Sequence, residues 1–77
     1  MHYQYCRPDC LLIINNKGRI KVLYTPFKVK VINAVGRFPL NLWLWVDEVR
    51  SNNQDQLLFI VFNEAYIYSH FQIPIFI

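Results

Sequence analysis

Leu40-Asn41-Leu42-Trp43-Leu44-Trp45-Val46-Asp47-Glu48-Val49 holds both tryptophans of a 77-residue chain. Side chains alternate across an extended strand, so Leu42, Leu44 and Val46 share one side and Trp43, Trp45 and Asp47 the other. Both sides are apolar. Such a strand needs two covers: the domain's own core on one face, and a second element, a ligand or a partner on the other. The run predicts a sheet with a binding surface and implies no reaction.

The rest of the chain has strand composition. It is 55% apolar with six Phe, five Tyr and two Trp, and it has only two glycines. Val, Ile, Leu and aromatics of this kind fit a pleated, half-buried surface. The length allows one domain, residues 1–77, with one dense core. Upstream of the run, residues 27–32 alternate cleanly, with Phe27, Val29 and Val31 inward and Lys28 and Lys30 outward. Residues 33–39 form a loop around Gly36 and Pro39, and Thr25-Pro26 interrupts the chain before them. Earlier still, residues 10–24 read as a hairpin whose turn, Asn15-Asn16-Lys17-Gly18, supplies positive-φ positions. The first nine residues read as irregular. Downstream, residues 51–55 are a polar loop, 56–62 a continuous apolar strand, and Asn63-Glu64 a short turn. Residues 65–68 then form a strand, 69–71 a 3₁₀ turn and 72–73 a closing strand.

From residue 27 this order is similar to that of the SH3-like small barrels. The resemblance covers residues 25–73 and implies an all-β, partly open barrel of about five antiparallel strands behind an N-terminal β-hairpin. An OB-like barrel and an antiparallel meander are the alternatives. The resemblance lies in element order; no ALYDY-like segment is present, so it carries over no proline-peptide groove. Alternation assigns Phe27, Val29, Val31, Leu42, Leu44, Val46, Leu58, Ile60 and Ile67 to one core.

Charge is divided along the chain. Residues 1–40 carry seven Lys and Arg against Asp9 alone, or +6, and residues 41–77 carry Arg50 against four acidic side chains, or −3. Arg19, Lys21, Lys28 and Lys30 alternate with apolar residues on consecutive strands. If those strands are neighbours, the four cations share a solvent face that Lys17 and Arg37 extend, fit for phosphates beside a stacking Tyr24 or Trp43. The competing account is a solvated face that discourages edge pairing.

Cys6-Arg7-Pro8-Asp9-Cys10 lies near His2, but a structural zinc site brings a second ligand pair and this chain has none, unless His70 meets the N-terminus. Two thiols alone suit a reducing compartment, and the first residues lack the pattern of a signal peptide, so the expectation is a cytoplasmic protein. Ser69 and His70 are adjacent and point apart if extended, as do Asp47 and Glu48, and neither glycine sits in a phosphate-cradling loop. No enzyme, cofactor or metal is expected. The expected function is a small interaction or accessory module that docks a protein through Trp43 and Trp45. The apolar tail, residues 74–77, with Ile75, Phe76 and Ile77, either folds over that face or joins a second copy in a homodimer. A nucleic-acid-binding barrel using the basic face is the alternative.

Overall fold

Period-two apolar patterning and well-placed turn residues make this chain a series of short strands. The computed structural model describes residues 2–74, as β1 (His2–Arg7), β2 (Cys10–Ile14), β3 (Ile20–Tyr24), β4 (Phe27–Val31), β5 (Trp43–Val46), β6 (Glu48–Ser51), β7 (Leu57–Val61), β8 (Glu64–Ile67), a 3₁₀ turn (Tyr68–His70) and β9 (Phe71–Gln72). They form three small antiparallel sheets, ordered β1-β2-β3, β5-β4-β9 and β6-β7-β8. The fold is all-β, and among the described residues the sheets do not close into a barrel. No helix among the described residues is long and apolar enough to cross a membrane.

One core joins the three sheets. Leu11 and Ile13 come from the first, Phe27, Val29, Val31, Leu44, Val46 and Phe71 from the second, and Val49, Leu57, Phe59 and Val61 from the third. Each fully buried large apolar side chain contributes about 1.5–3 kcal/mol. Phe59 is the hub: its ring meets Phe27 edge-on at 5.4 Å and stacks on Phe71 at 6.0 Å.

The hairpin over residues 10–24 forms as expected, with Gly18 at φ 80° and Asn15 Oδ1 accepting from the amides of Lys17 and Arg19, each at 2.9 Å. The first nine residues differ from expectation. His2–Arg7 is a strand paired with β2, and Pro8 sits in the corner after it, where its missing N–H costs no ladder bond.

The tryptophan run is also two strands rather than one. Leu40, Asn41 and Leu42 precede β5, with Asn41 left-handed at φ 69°. At Asp47 the chain leaves β4 for β7: Val46 pairs with Phe27, Glu48 pairs with Ile60, and the Asp47 amide donates to the Ile60 carbonyl at 2.9 Å. Both halves keep an inward face, Leu44 and Val46 in one and Val49 in the other.

Four residues of the expected core are not in it. Leu42 and Ile67 are exposed, while Leu58 and Ile60 are only half-buried, because β7 turns Leu57, Phe59 and Val61 inward. A strand apolar at every position does not encode which parity faces the core; the turn that follows sets it. That turn is Phe62-Asn63, one residue earlier than the sequence suggests, and both residues have positive φ, as a two-residue hairpin turn requires.

Candidate functional site

The outer face of the β5-β4-β9 sheet carries the strongest assembly of side chains in the molecule. Because Leu44 and Val46 are inward, Trp43 and Trp45 are outward, 46% and 55% exposed. Their cross-strand partners are Lys30 and Lys28. The Lys28 ammonium lies 5.9 Å from the Trp43 ring centroid and 5.7 Å from that of Trp45, so one cation serves both indoles. At an exposed site such a contact contributes about 0.5–1 kcal/mol.

Beside the indoles runs a groove of about 410 Å³, lined by Pro26, Trp43, Leu44, Trp45, Asp47 and Phe62. Its walls are apolar and Asp47 gives it one carboxylate, the pattern of a binding cleft in which a few polar groups fix orientation. Phe62 is the unexpected member. It sits at the tip of the β7–β8 turn with φ 50°, a left-handed conformation that costs a residue with a Cβ about 1–2 kcal/mol, and it leaves 61% of itself in solvent. The Arg37 guanidinium lies 5.6 Å from the rings of both Phe62 and the buried Phe38. Phe38 in turn packs against Tyr66 at 5.3 Å. The Tyr66 hydroxyl donates to Glu64 Oε2 at 2.9 Å, and burial first, then this carboxylate, push its pKa up.

Among the described residues, the strand expected to be covered on both faces is covered on one. Leu44 and Val46 enter the core, while Trp43 and Trp45 stay in solvent with Phe62 and Pro26 flanking them. Ile75, Phe76 and Ile77 lie outside the described residues.

The six basic residues do not form one strip. Lys28 and Lys30 stand on β4 beside the tryptophans, and Arg37 joins the same region through Phe62. Lys17 and Arg19 belong to the β2–β3 loop, and Lys21 is on β3, which among the described residues pairs with β2 and not with β4. The parity of β3 also differs from the expected one. Leu23 pairs with Leu11 and packs on the core, and Lys21 pairs with Ile13 on that same side. Ile20, Val22 and Tyr24 are therefore exposed, next to half-buried Leu12 and Ile14. The result is a second apolar face, made of aliphatic rows.

No three His, Cys, Asp or Glu side chains gather into a metal-binding group among the described residues. Asp9 is paired with Arg7 at 3.4 Å, and Glu48 with Arg50 at 3.0 Å. Ser69 is exposed in the 3₁₀ turn, and the half-buried His70 has its Nδ1 buried without a hydrogen-bond partner among the described residues. Comparison with protein-family models, curated proteins and solved structures finds no match to this chain.

Sequence reasoning singled out Trp43, Trp45 and Lys28 and set Asp47 on the tryptophan side, but it did not point to Pro26 or Phe62 beside them. Phe62 had a signal: Asn63 is a residue that tolerates the left-handed region, and a two-residue turn ending on it puts Phe62 at the tip.

Proposed function

We propose that residues 25–73 form an SH3-like, partly open barrel, and that the chain is a small non-catalytic module binding a protein partner through the groove beside Trp43 and Trp45. The barrel reading is supported by the β5-β4-β9 and β6-β7-β8 sheets, by the strand that bends at Asp47 to serve both, and by the 3₁₀ turn before β9. The observation that carries the binding reading is the groove itself, with two half-exposed indoles, a strained and exposed Phe62, and one carboxylate. Buried tryptophans dominate binding energy at protein interfaces, and these two are free to be buried by a partner. The test is capture from source-cell extract, with and without nuclease. A partner retained by the parent protein after nuclease and lost by the Trp43→Ala/Trp45→Ala protein supports this reading; capture indifferent to both tryptophans overturns it. Analytical ultracentrifugation of the purified chain, with and without residues 75–77, reports whether that partner is a second copy.

A second reading has its own observation. Lys28 over both indoles and Arg37 over Phe62 place cations beside exposed rings, the combination on which single-stranded nucleic acids stack. This reading predicts oligonucleotide binding whose affinity falls with salt and whose salt slope flattens in Lys28→Ala/Lys30→Ala. Absence of binding at low salt removes it.

A further inference from the structure

Cys6 and Cys10 lie opposite each other where β1 turns into β2, beside a bulge. Tyr5 pairs with Leu11 and Arg7 with Cys10, so the register shifts at Cys6 and two residues, Cys6 and Arg7, oppose Cys10. The register of Tyr5 with Leu11, carried one residue on, sets Cys6 directly opposite Cys10, and opposed residues of an antiparallel pair project from the same face of the sheet. The Cys6 thiol is the nearest polar influence on that of Cys10. Its neighbour Cys6, and then burial, push the Cys10 thiol up. The Arg7 guanidinium is close enough to both sulfurs, as well as to Asp9, for their charges to raise its own pKa.

Burial separates the roles. Cys6 is exposed and Cys10 is 2% exposed. Directly opposed residues of antiparallel strands have Cα separations of about 4.5–5.5 Å, inside the range of about 4.4–6.8 Å that a disulfide spans. We infer that Cys6 and Cys10 are a reversible dithiol–disulfide pair, with Cys6 attacking a hydroperoxide and Cys10 resolving the product.

In the first step the Cys6 thiolate attacks one oxygen of the hydroperoxide. The O–O bond breaks, an S–O bond forms, and hydroxide or alkoxide leaves, giving a sulfenic acid at Cys6. In the second, the Cys10 sulfur attacks the Cys6 sulfur, the S–O bond breaks, and the departing hydroxide takes the Cys10 proton as water. Two thiols lose two electrons and two protons, and hydrogen peroxide becomes two waters. A dithiol reductant reverses the change by exchange.

The bond has a structural consequence. It closes a ring over Pro8 and Asp9, whose carbonyls accept from the amides of Val49, at 2.8 Å, and Thr25, at 3.1 Å. Those bonds tie the β1–β2 corner to β6 and to the residue that follows β3, so oxidation stiffens the corner where the N-terminal sheet meets β6.

The test treats the reduced full-length chain with hydrogen peroxide, then denatures it, alkylates free thiols and measures intact mass and the linked peptide. The expected product is one chain lighter by two hydrogens that takes up no alkyl group, with Cys6 joined to Cys10 and slower exchange at the Val49 and Thr25 amides. Cys10→Ser is expected to stop at a sulfenic acid that dimedone traps on Cys6, and Cys6→Ser to lose thiol about tenfold more slowly. Two alkyl groups after peroxide, cross-linked chains, or dimedone labelling of the parent protein equal to that of Cys10→Ser would overturn the inference. Disulfide formation with unchanged amide exchange would overturn its link to the corner.

Discussion

The outer faces of the β5-β4-β9 and β1-β2-β3 sheets both leave large apolar side chains in water, and they are built differently. On the first, Trp43 and Trp45 stand across from Lys28 and Lys30 and flank a groove closed by Phe62 and Asp47. On the second, Ile20, Val22 and Tyr24 lie on an edge strand in flat rows against Leu12 and Ile14. Exposed apolar area is common to both. The first face combines a groove, two indoles and a cation placed over them, and these are the features that convert area into selective binding. The second is an edge of the kind that proteins ordinarily blunt with charge, and here its Lys21 lies on the opposite side of the strand.

The largest expected effect separates the inner from the outer side of β5. Leu44→Ala removes a side chain of the buried core and should cost about 2–5 kcal/mol in urea denaturation. Trp45→Ala, one position along, should cost about 1 kcal/mol or less, since it loses mainly exposed area and the contact with Lys28. Equal losses for the two would place Trp45 in the core and dissolve the distinction.

Next comes binding. Trp43→Ala and Trp45→Ala should each weaken the proposed partner by about 2 kcal/mol or more, roughly thirtyfold, in a fluorescence or calorimetric titration. Ile20→Thr/Val22→Thr on the other face should leave affinity unchanged while raising solubility. If the threonine pair weakens binding and the tryptophans do not, the two faces exchange roles.

Phe62 sharpens the comparison further. Its left-handed backbone is a cost that asparagine avoids, while its exposed ring packs on Phe38 only at 6.1 Å. Phe62→Asn should therefore change stability by no more than about 1 kcal/mol, in either direction, and still reduce partner affinity. A large loss of stability with affinity retained would make Phe62 a structural residue.

Much of this was legible in the residues, and the failures lie where alternation is absent or is overridden by pairing. Where apolar and polar positions alternate, as in Phe27-Lys28-Val29-Lys30-Val31, parity follows directly and the observed inward set is Phe27, Val29 and Val31. Where every position is apolar, as in β7, a shift of one residue in the turn reverses the strand, and Leu58 and Ile60 change places with Phe59 and Val61. On β3 the pattern itself misleads. Arg19, Lys21 and the apolar residues between them alternate as though the lysines faced water, yet pairing with β2 puts Leu23 on the core and Lys21 on its side. An edge strand that overhangs a small core can hold a lysine there because the long side chain reaches solvent. The bend at Asp47 had no such signal, since a strand passing between sheets looks continuous in sequence. The bulge at Cys6 was equally silent: it is a property of the pairing with β2, which the irregular reading of residues 1–9 removed from view.

The smallest effect lies under the two faces, where each has a tyrosine. Tyr66 packs against Phe38 behind the Phe62 side, and Tyr3 packs on the core beneath the N-terminal sheet, edge-on to Tyr68 at 6.0 Å. Burial is the leading cause that raises both pKa values from 10.0, followed by the Glu64 hydrogen bond for Tyr66 and by Tyr68 for Tyr3. The folded state therefore holds these protons more tightly than the unfolded chain. Linkage then gives a contribution to stability that is fully present below pH 10 and is lost as pH rises through the raised folded values. Thermal unfolding followed between pH 8 and about 11.5 should show a falling alkaline limb. Tyr66→Phe should make that limb shallower, because phenylalanine has no proton to lose, and Tyr3→Phe should do the same independently, because the two rings serve different sheets. Arg37 opposes the shift at Tyr66, so Arg37→Ala should steepen the limb in the parent and leave it unchanged in Tyr66→Phe. An Arg37 effect of equal size in both backgrounds would separate this guanidinium from Tyr66 and confine its role to the rings of Phe38 and Phe62.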